Sequence, residues 1–167
     1  MKTRKQILAI VLGMMFTLAI VPTLALSQNK NDQDDNDLVG VWQIAASATV
    51  DCATGQPDGQ PTTPVNYSFN LGGTMTEIEA NAIDGPYRSS AQGIWKHVSG
   101  RNYTALFTNY SFNPDRSLAV ILTYRTNLQL SRDLNTATEN GTAEVALPDG
   151  TVVATVCFAD TATRMRF

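Results

Sequence analysis

The sequence predicts an all-β protein, an eight-stranded antiparallel up-and-down β-barrel over residues 38–167. Three observations carry that expectation. From Leu38 to Phe167, apolar and polar residues alternate in eight short runs, each cut from the next by turn-forming residues. None of the runs has a helical period. One cysteine, Cys52, sits near the first run and the other, Cys157, lies in the last, as though the two edges of one sheet were joined. Closing a sheet removes its exposed edges, and at eight strands the interior can hold one small ligand.

The first expected strand is Leu38 to Val50, with Leu38, Gly40, Trp42, Ile44, Ala46, Ala48 and Val50 facing inward. Residues 51–64 hold three prolines, two glycines and two aspartates, which marks a long loop. In the second strand Val65, Tyr67, Phe69 and Leu71 alternate with Asn66, Ser68 and Asn70. Gly72-Gly73 makes a hairpin, and Thr74 to Ala80 returns as the third strand. A loop from Asn81 to Arg88, containing Asp84-Gly85-Pro86, leads to the fourth, Ser90–Val98. Ser99-Gly100-Arg101 turns the chain into Asn102–Phe112, the fifth. Asn113-Pro114-Asp115-Arg116 is a turn with proline in its second position. It opens the sixth strand, Ser117–Ser131, where Leu118, Val120, Leu122, Tyr124, Leu128 and Leu130 share a face. Leu134–Leu147 is the seventh, and Pro148-Asp149-Gly150 turns it into Thr151–Phe167, the eighth. A sandwich would need long crossovers, and only the loop at 51–64 is long, so the short connections favour the meandering barrel.

Residues 1–27 have the layout of a secretory signal peptide. Lys2, Arg4 and Lys5 form a basic start, Ile7 to Ala25 is apolar, Pro22 breaks the run, and Ala25 and Ser27 are small. A retained membrane anchor is the alternative, since the apolar run is about long enough to span a bilayer. Pro22 and the small residues favour cleavage, and no cysteine lies there to carry a lipid. The expected product is secreted or periplasmic, with no stable membrane insertion. All 15 acidic residues lie beyond residue 27, against nine of the 12 basic ones, so the exported chain carries a net charge of −6. That charge argues against nucleic acid as a partner. Residues 28–37 (QNKNDQDDND) contain no apolar side chain and are expected to form a disordered acidic linker. They lack the glycine and distal glutamate of an EF-hand calcium loop.

Gly40-Val41-Trp42 resembles the Gly-x-Trp signature of lipocalins and the wider calycin group. In that resemblance Trp42 plugs the closed end of the barrel and stacks on an arginine from the last strand, here Arg164 or Arg166. Counting by twos puts both arginines on the opposite face from Cys157, so the resemblance implies a bulge or a frayed end. The chain is also similar to an uncharacterised class of small exported bacterial proteins. The shared pattern is Gly40-Val41-Trp42, Asp51-Cys52-Ala53-Thr54-Gly55, Gly72-Gly73-Thr74, Gly93-Ile94-Trp95, the aromatic strand Tyr103 to Phe112, and Cys157. The similarity implies a fold and an exported location and carries no known activity. In an exported chain, two cysteines near the seam of the first and last strands predict a Cys52–Cys157 disulfide.

Residues that could carry chemistry are few. His97 stands alone beside Trp95 and Lys96, at the end of a strand, and is expected at the surface. A zinc site would need three or four ligands, so no metal is expected. No Gly-x-Ser-x-Gly elbow is present, and neither a catalytic set nor a cofactor is predicted. Glu77 and Glu79 share one face of the third strand, as paired glycosidase carboxylates could, but a solvated outer face accounts for them more simply. Parity does not place Asp160 or Arg125. Asn66, Asn102, Asn109 and Asn140 each begin an Asn-x-Ser/Thr triplet, a glycan acceptor in a eukaryotic secretory route.

Aromatic residues are the remaining signal. Tyr67, Phe69, Trp95, Tyr103, Phe107, Tyr110 and Tyr124 spread over strands two, four, five and six and would line either a packed core or a ligand cavity, and all of these but Tyr110 are the candidate ligand-binding residues. Ala91 and Gly93 share a face with Trp95 and are expected to leave space beside its ring. The leading expectation is a non-enzymatic barrel that binds a small hydrophobic molecule. The alternatives are a filled structural or interaction barrel and a barrel isomerase or cyclase.

Overall fold

Strands in which every second residue is apolar can bury only one face, and here they do so by closing a sheet on itself. The computed structural model describes residues 36–59, 63–80 and 87–167. The expected signal peptide, and residues 28–35 of the expected linker, lie outside these. The elements are β1 (Gly40–Ser47), β2 (Thr49–Val50), β3 (Thr63–Phe69), β4 (Thr74–Glu79), β5 (Tyr87–Arg88), β6 (Ala91–Ser99), β7 (Asn102–Phe112), β8 (Leu118–Leu130), β9 (Thr136–Ala146) and β10 (Val152–Arg164). From β3 through β4, β6, β7, β8, β9 and β10, each strand pairs antiparallel with the next, and β1 joins β3 to β10. With β1 and β2 taken as one bent strand, the result is a closed eight-stranded up-and-down barrel of lipocalin-like topology. Two-residue β5 lies inside the loop expected at 81–88; it is held to β7 by pairing with Phe112 and Ser111. The second strand ends at Phe69 instead of Leu71, which stands exposed at the hairpin.

The first strand departs from simple alternation. Trp42 and Ile44 face inward as expected, but between Ile44 and Ser47 three steps along β1 oppose two along β3. One extra residue turns the remainder of the strand over. The half-buried bulge meets the Asp160 carboxylate, which accepts from Ala48 N (2.9 Å) and Ser47 Oγ (2.8 Å). Asp160 therefore faces inward, and Arg125 faces out.

Cys52 and Cys157 form the expected disulfide, with their Cα atoms 5.2 Å apart. Asp51 shapes the loop that carries Cys52: its Oδ1 accepts from Ala53 N, Thr54 N and Thr54 Oγ1. The bond lies on the outer wall. On β10, Phe158, Asp160 and Ala162 point inward and so does Arg164, while Cys157 points outward, so strict alternation carries the strand from Cys157 to an inward Arg164 with no bulge between them. The expected bulge or fray followed from placing Cys157 on the inner face.

The end of the barrel at Trp42 is closed. Trp42 is fully buried and donates from Nε1 to Leu38 O at 2.9 Å. Arg164 lies over the indole and donates to the carbonyls of Leu134 (2.9 Å), Val39 (2.7 Å) and Asp37. Asn36 and Asp37 thus belong to the turn that enters the barrel. Gly40 has φ +138°, and a β-carbon there would stand 2.9 Å from the Arg164 guanidinium. The glycine of Gly-x-Trp gives the arginine its place. Arg166 is exposed, so only Arg164 meets Trp42.

Candidate functional site

Above the closed end, the inward side chains form a chain of rings. Trp95 sits between Tyr103 (5.9 Å between centroids) and Phe69 (6.0 Å), and Tyr67 continues from Phe69 (5.7 Å) to Phe107 (5.8 Å). Phe107 stacks parallel on Tyr124 at 4.7 Å, and Tyr124 meets Phe158 edge-on at 5.9 Å. The lower half of this chain is packed core. Trp95 Nε1 donates to Asn70 O and Thr74 O, fastening the hairpin between β3 and β4. The space expected beside Trp95 is filled, because the cross-strand partner of Gly93 is Phe107. A β-carbon on Gly93 would fall 2.3 Å from that of Phe107. The glycine admits a neighbouring ring instead of leaving a void.

The upper half is open. At the end of the barrel away from Trp42, a cavity of about 490 Å³ is walled by Tyr67, Phe107, Tyr124 and Phe158, with Val65, Leu122 and Ala143 between the rings. Of the six aromatic residues singled out by sequence, Tyr67, Phe107 and Tyr124 line it, whereas Phe69, Trp95 and Tyr103 lie in the core below.

Polar groups enter the same interior. Glu77 and Glu79 were expected on the outer wall, yet both face the cavity, and Ile78 between them is exposed. The register sets this: Phe69 pairs with Met75 and Tyr67 with Glu77, so the face carrying buried Met75 also carries the glutamates. Glu79 Oε2 meets Arg88 Nη1 at 2.5 Å. Glu77 is 4% exposed, and its Oε2 has no hydrogen-bond partner among the described residues. Asn109, fully buried two strands away across Ala91, lies beside it without either amide atom completing a bond. Burial, reinforced by the charge of Glu79, lifts the Glu77 carboxyl to about 7.

Deeper in, Glu139 is 2% exposed and accepts from Tyr67 Oη at 3.4 Å across the lumen. Its direct partner on β10 is Asp160. Burial first, then the Asp160 charge, lift Glu139 to about 8, although Thr126 and Tyr67 offset this. Burial also raises Asp160, Tyr67 and Tyr124, the last to about 12, so both phenols stay protonated at neutral pH. The barrel thus presents an apolar aromatic cup with carboxyl groups that gain or lose protons near neutrality.

His97 stays outside this set: Nε2 lies 2.8 Å from Gly100 O and the ring packs on Tyr103. Among the described residues, no group of three His, Cys, Asp or Glu side chains is arranged to hold a metal. Asn109 is buried inside the barrel, which removes it as a glycan acceptor. The sequence reading missed the inward Glu139, Arg88, Asn109 and Phe158. Strand parity could have found Asn109, which follows Tyr103, Ala105 and Phe107 by twos. No protein-family model matches the chain, and no curated protein matches it.

Proposed function

We propose that this chain is an exported, lipocalin-like barrel that binds one small, mostly apolar molecule without transforming it. The observation that carries this reading is the aromatic-walled cavity of about 490 Å³ opposite the Trp42 plug. That volume lies in the usual range for small-molecule sites, and few convergent polar groups among apolar walls is the usual composition of such sites. A filled structural barrel would have no use for the void. The Cys52–Cys157 disulfide accords with an oxidising, exported compartment, as does the signal-peptide layout of residues 1–27. Titration calorimetry with a neutral bicyclic alcohol such as 2-naphthaleneethanol tests the reading. One site with a micromolar dissociation constant supports it, and no heat at millimolar ligand overturns it.

One observation favours a second reading. Glu77, with a carboxyl near 7, shares the cavity with Tyr124 and the Glu79–Arg88 pair, an arrangement able to move a proton in an isomerase or cyclase. Chemical change of a bound ligand on incubation, lost in Glu77→Gln, would favour the enzyme.

A further inference from the structure

We propose that the cavity selects molecules with a protonated amine at one end of an apolar body, the ammonium seated on the Glu77 carboxylate. This rests on the binding reading above and adds the chemical class of the ligand.

The first support is the orphaned oxygen. Glu77 lines the cavity, and its buried Oε2 completes no hydrogen bond among the described residues; the Asn109 amide beside it offsets the burial only in part, and a carboxylate oxygen can be satisfied only by a group that donates. The second is charge. The cavity is lined by two carboxylates and one guanidinium, and the guanidinium is bonded to Glu79. An ionised Glu77 leaves one negative charge in excess. A ligand carboxylate would meet repulsion from both glutamates, whereas an ammonium would relieve it. The third is the walls. Phe107 and Tyr124 lie parallel within 7°, with Tyr67 edge-on to Phe107, so ring surface borders the acid. Ring faces attract a desolvated ammonium and give nothing comparable to an anion.

The titration of Glu77 sharpens the inference. The groups around it are Glu79 on its own strand, Tyr67 on β3, Arg88 on β5, Asn109 on β7, Tyr124 on β8 and Glu139 on β9. Ala91 on β6 brings no side-chain charge. The two phenols stay neutral near pH 7, Glu77 ionises first and Glu139, lifted to about 8, follows above it, so the Glu77→Gln comparison separates the two. Below about 7 it takes up a proton and loses its attraction for a cation. An aliphatic amine titrates near 10 and stays charged throughout.

Three ligands with one 2-naphthyl body, ending in ammonium, hydroxyl or carboxylate, test the proposal by calorimetry on the purified protein and on Glu77→Gln. At pH 8 the ammonium compound should bind about tenfold tighter than the alcohol, and the carboxylate weakest. At pH 6 the ammonium preference should shrink. In Glu77→Gln the difference between ammonium and alcohol should vanish, and a cooperative melting transition shows the variant folded. An alcohol bound as tightly as the ammonium compound, a tightest carboxylate, or a preference surviving in Glu77→Gln would overturn the amine inference and leave the binding reading standing. No binding by any of the three would overturn both.

Discussion

The Arg164 guanidinium lies over the Trp42 indole, 4.2 Å from the ring centroid, and the two residues are direct cross-strand partners where β1 meets β10. Three carbonyls fix the arginine, so the stack is held in place on both sides. A charged plane over a ring gains more as water leaves, and here the ring is fully buried.

Trp42→Ala is expected to cost about 3–5 kcal/mol, the usual price of truncating a buried large aromatic. Denaturant titration measures it. A loss below about 1 kcal/mol would mean that the plug is not what closes this end.

Reduction of the disulfide, or Cys52→Ser with Cys157→Ser, should lower stability by about 4–5 kcal/mol. The bond closes a loop across a separation of 105 residues, and constraint of the unfolded chain grows with loop length. Coincident melting curves for oxidised and reduced protein would contradict this.

Stability should fall as pH rises from 5 to 8. A buried acid with a raised folded value keeps its proton after the unfolded chain has released one, so unfolding becomes easier as pH climbs between the two values. For Glu139 the window runs from 4.5 to about 8, and for Glu77 from 4.5 to about 7. The exposed Asp51, Asp115, Asp133 and Asp149 are lowered by their hydrogen bonds from 3.8, so their opposite effect lies below this range. The combined loss is on the order of several kcal/mol. Glu139→Gln should raise the melting temperature at pH 8 and flatten the slope. A melting temperature that climbs from pH 5 to 8, in both proteins alike, would refute the account.

Gly93→Ala is expected to destabilise by about 1–3 kcal/mol, because the added carbon meets strand backbone as well as a side chain. The nearest atoms are Leu106 O and Phe107 Cβ, both at 2.3 Å. Phe107 would be displaced toward the cavity, so ligand affinity should fall with stability. A variant as stable as the parent, with unchanged affinity, would show that the wall is looser than the packing implies.

The barrel was legible because alternation, short turns and a closing pair of cysteines all pointed to one architecture. The site was less so. Glu77 and Glu79 obey the same alternation as Met75, but a charge invites the outward assignment, and only the pairing of Phe69 with Met75 fixes the face. Ser47 and Thr49 reach the cavity through a bulge, which period-two counting cannot anticipate. Gly93 was read as empty space because the residue that fills it comes from the next strand. Parity places a side chain inside; cross-strand register decides what it touches there.

The most direct test of the central claim is amide NMR of the protein titrated with 2-naphthaleneethanol. Binding in the cavity predicts shifts at Tyr67, Glu77, Phe107, Tyr124 and Phe158, with little change at Trp42 and Leu130 in the closed end. Shifts confined to the outer groove of Ile94, Lys96, Leu106 and Arg125, or none at all, would contradict it.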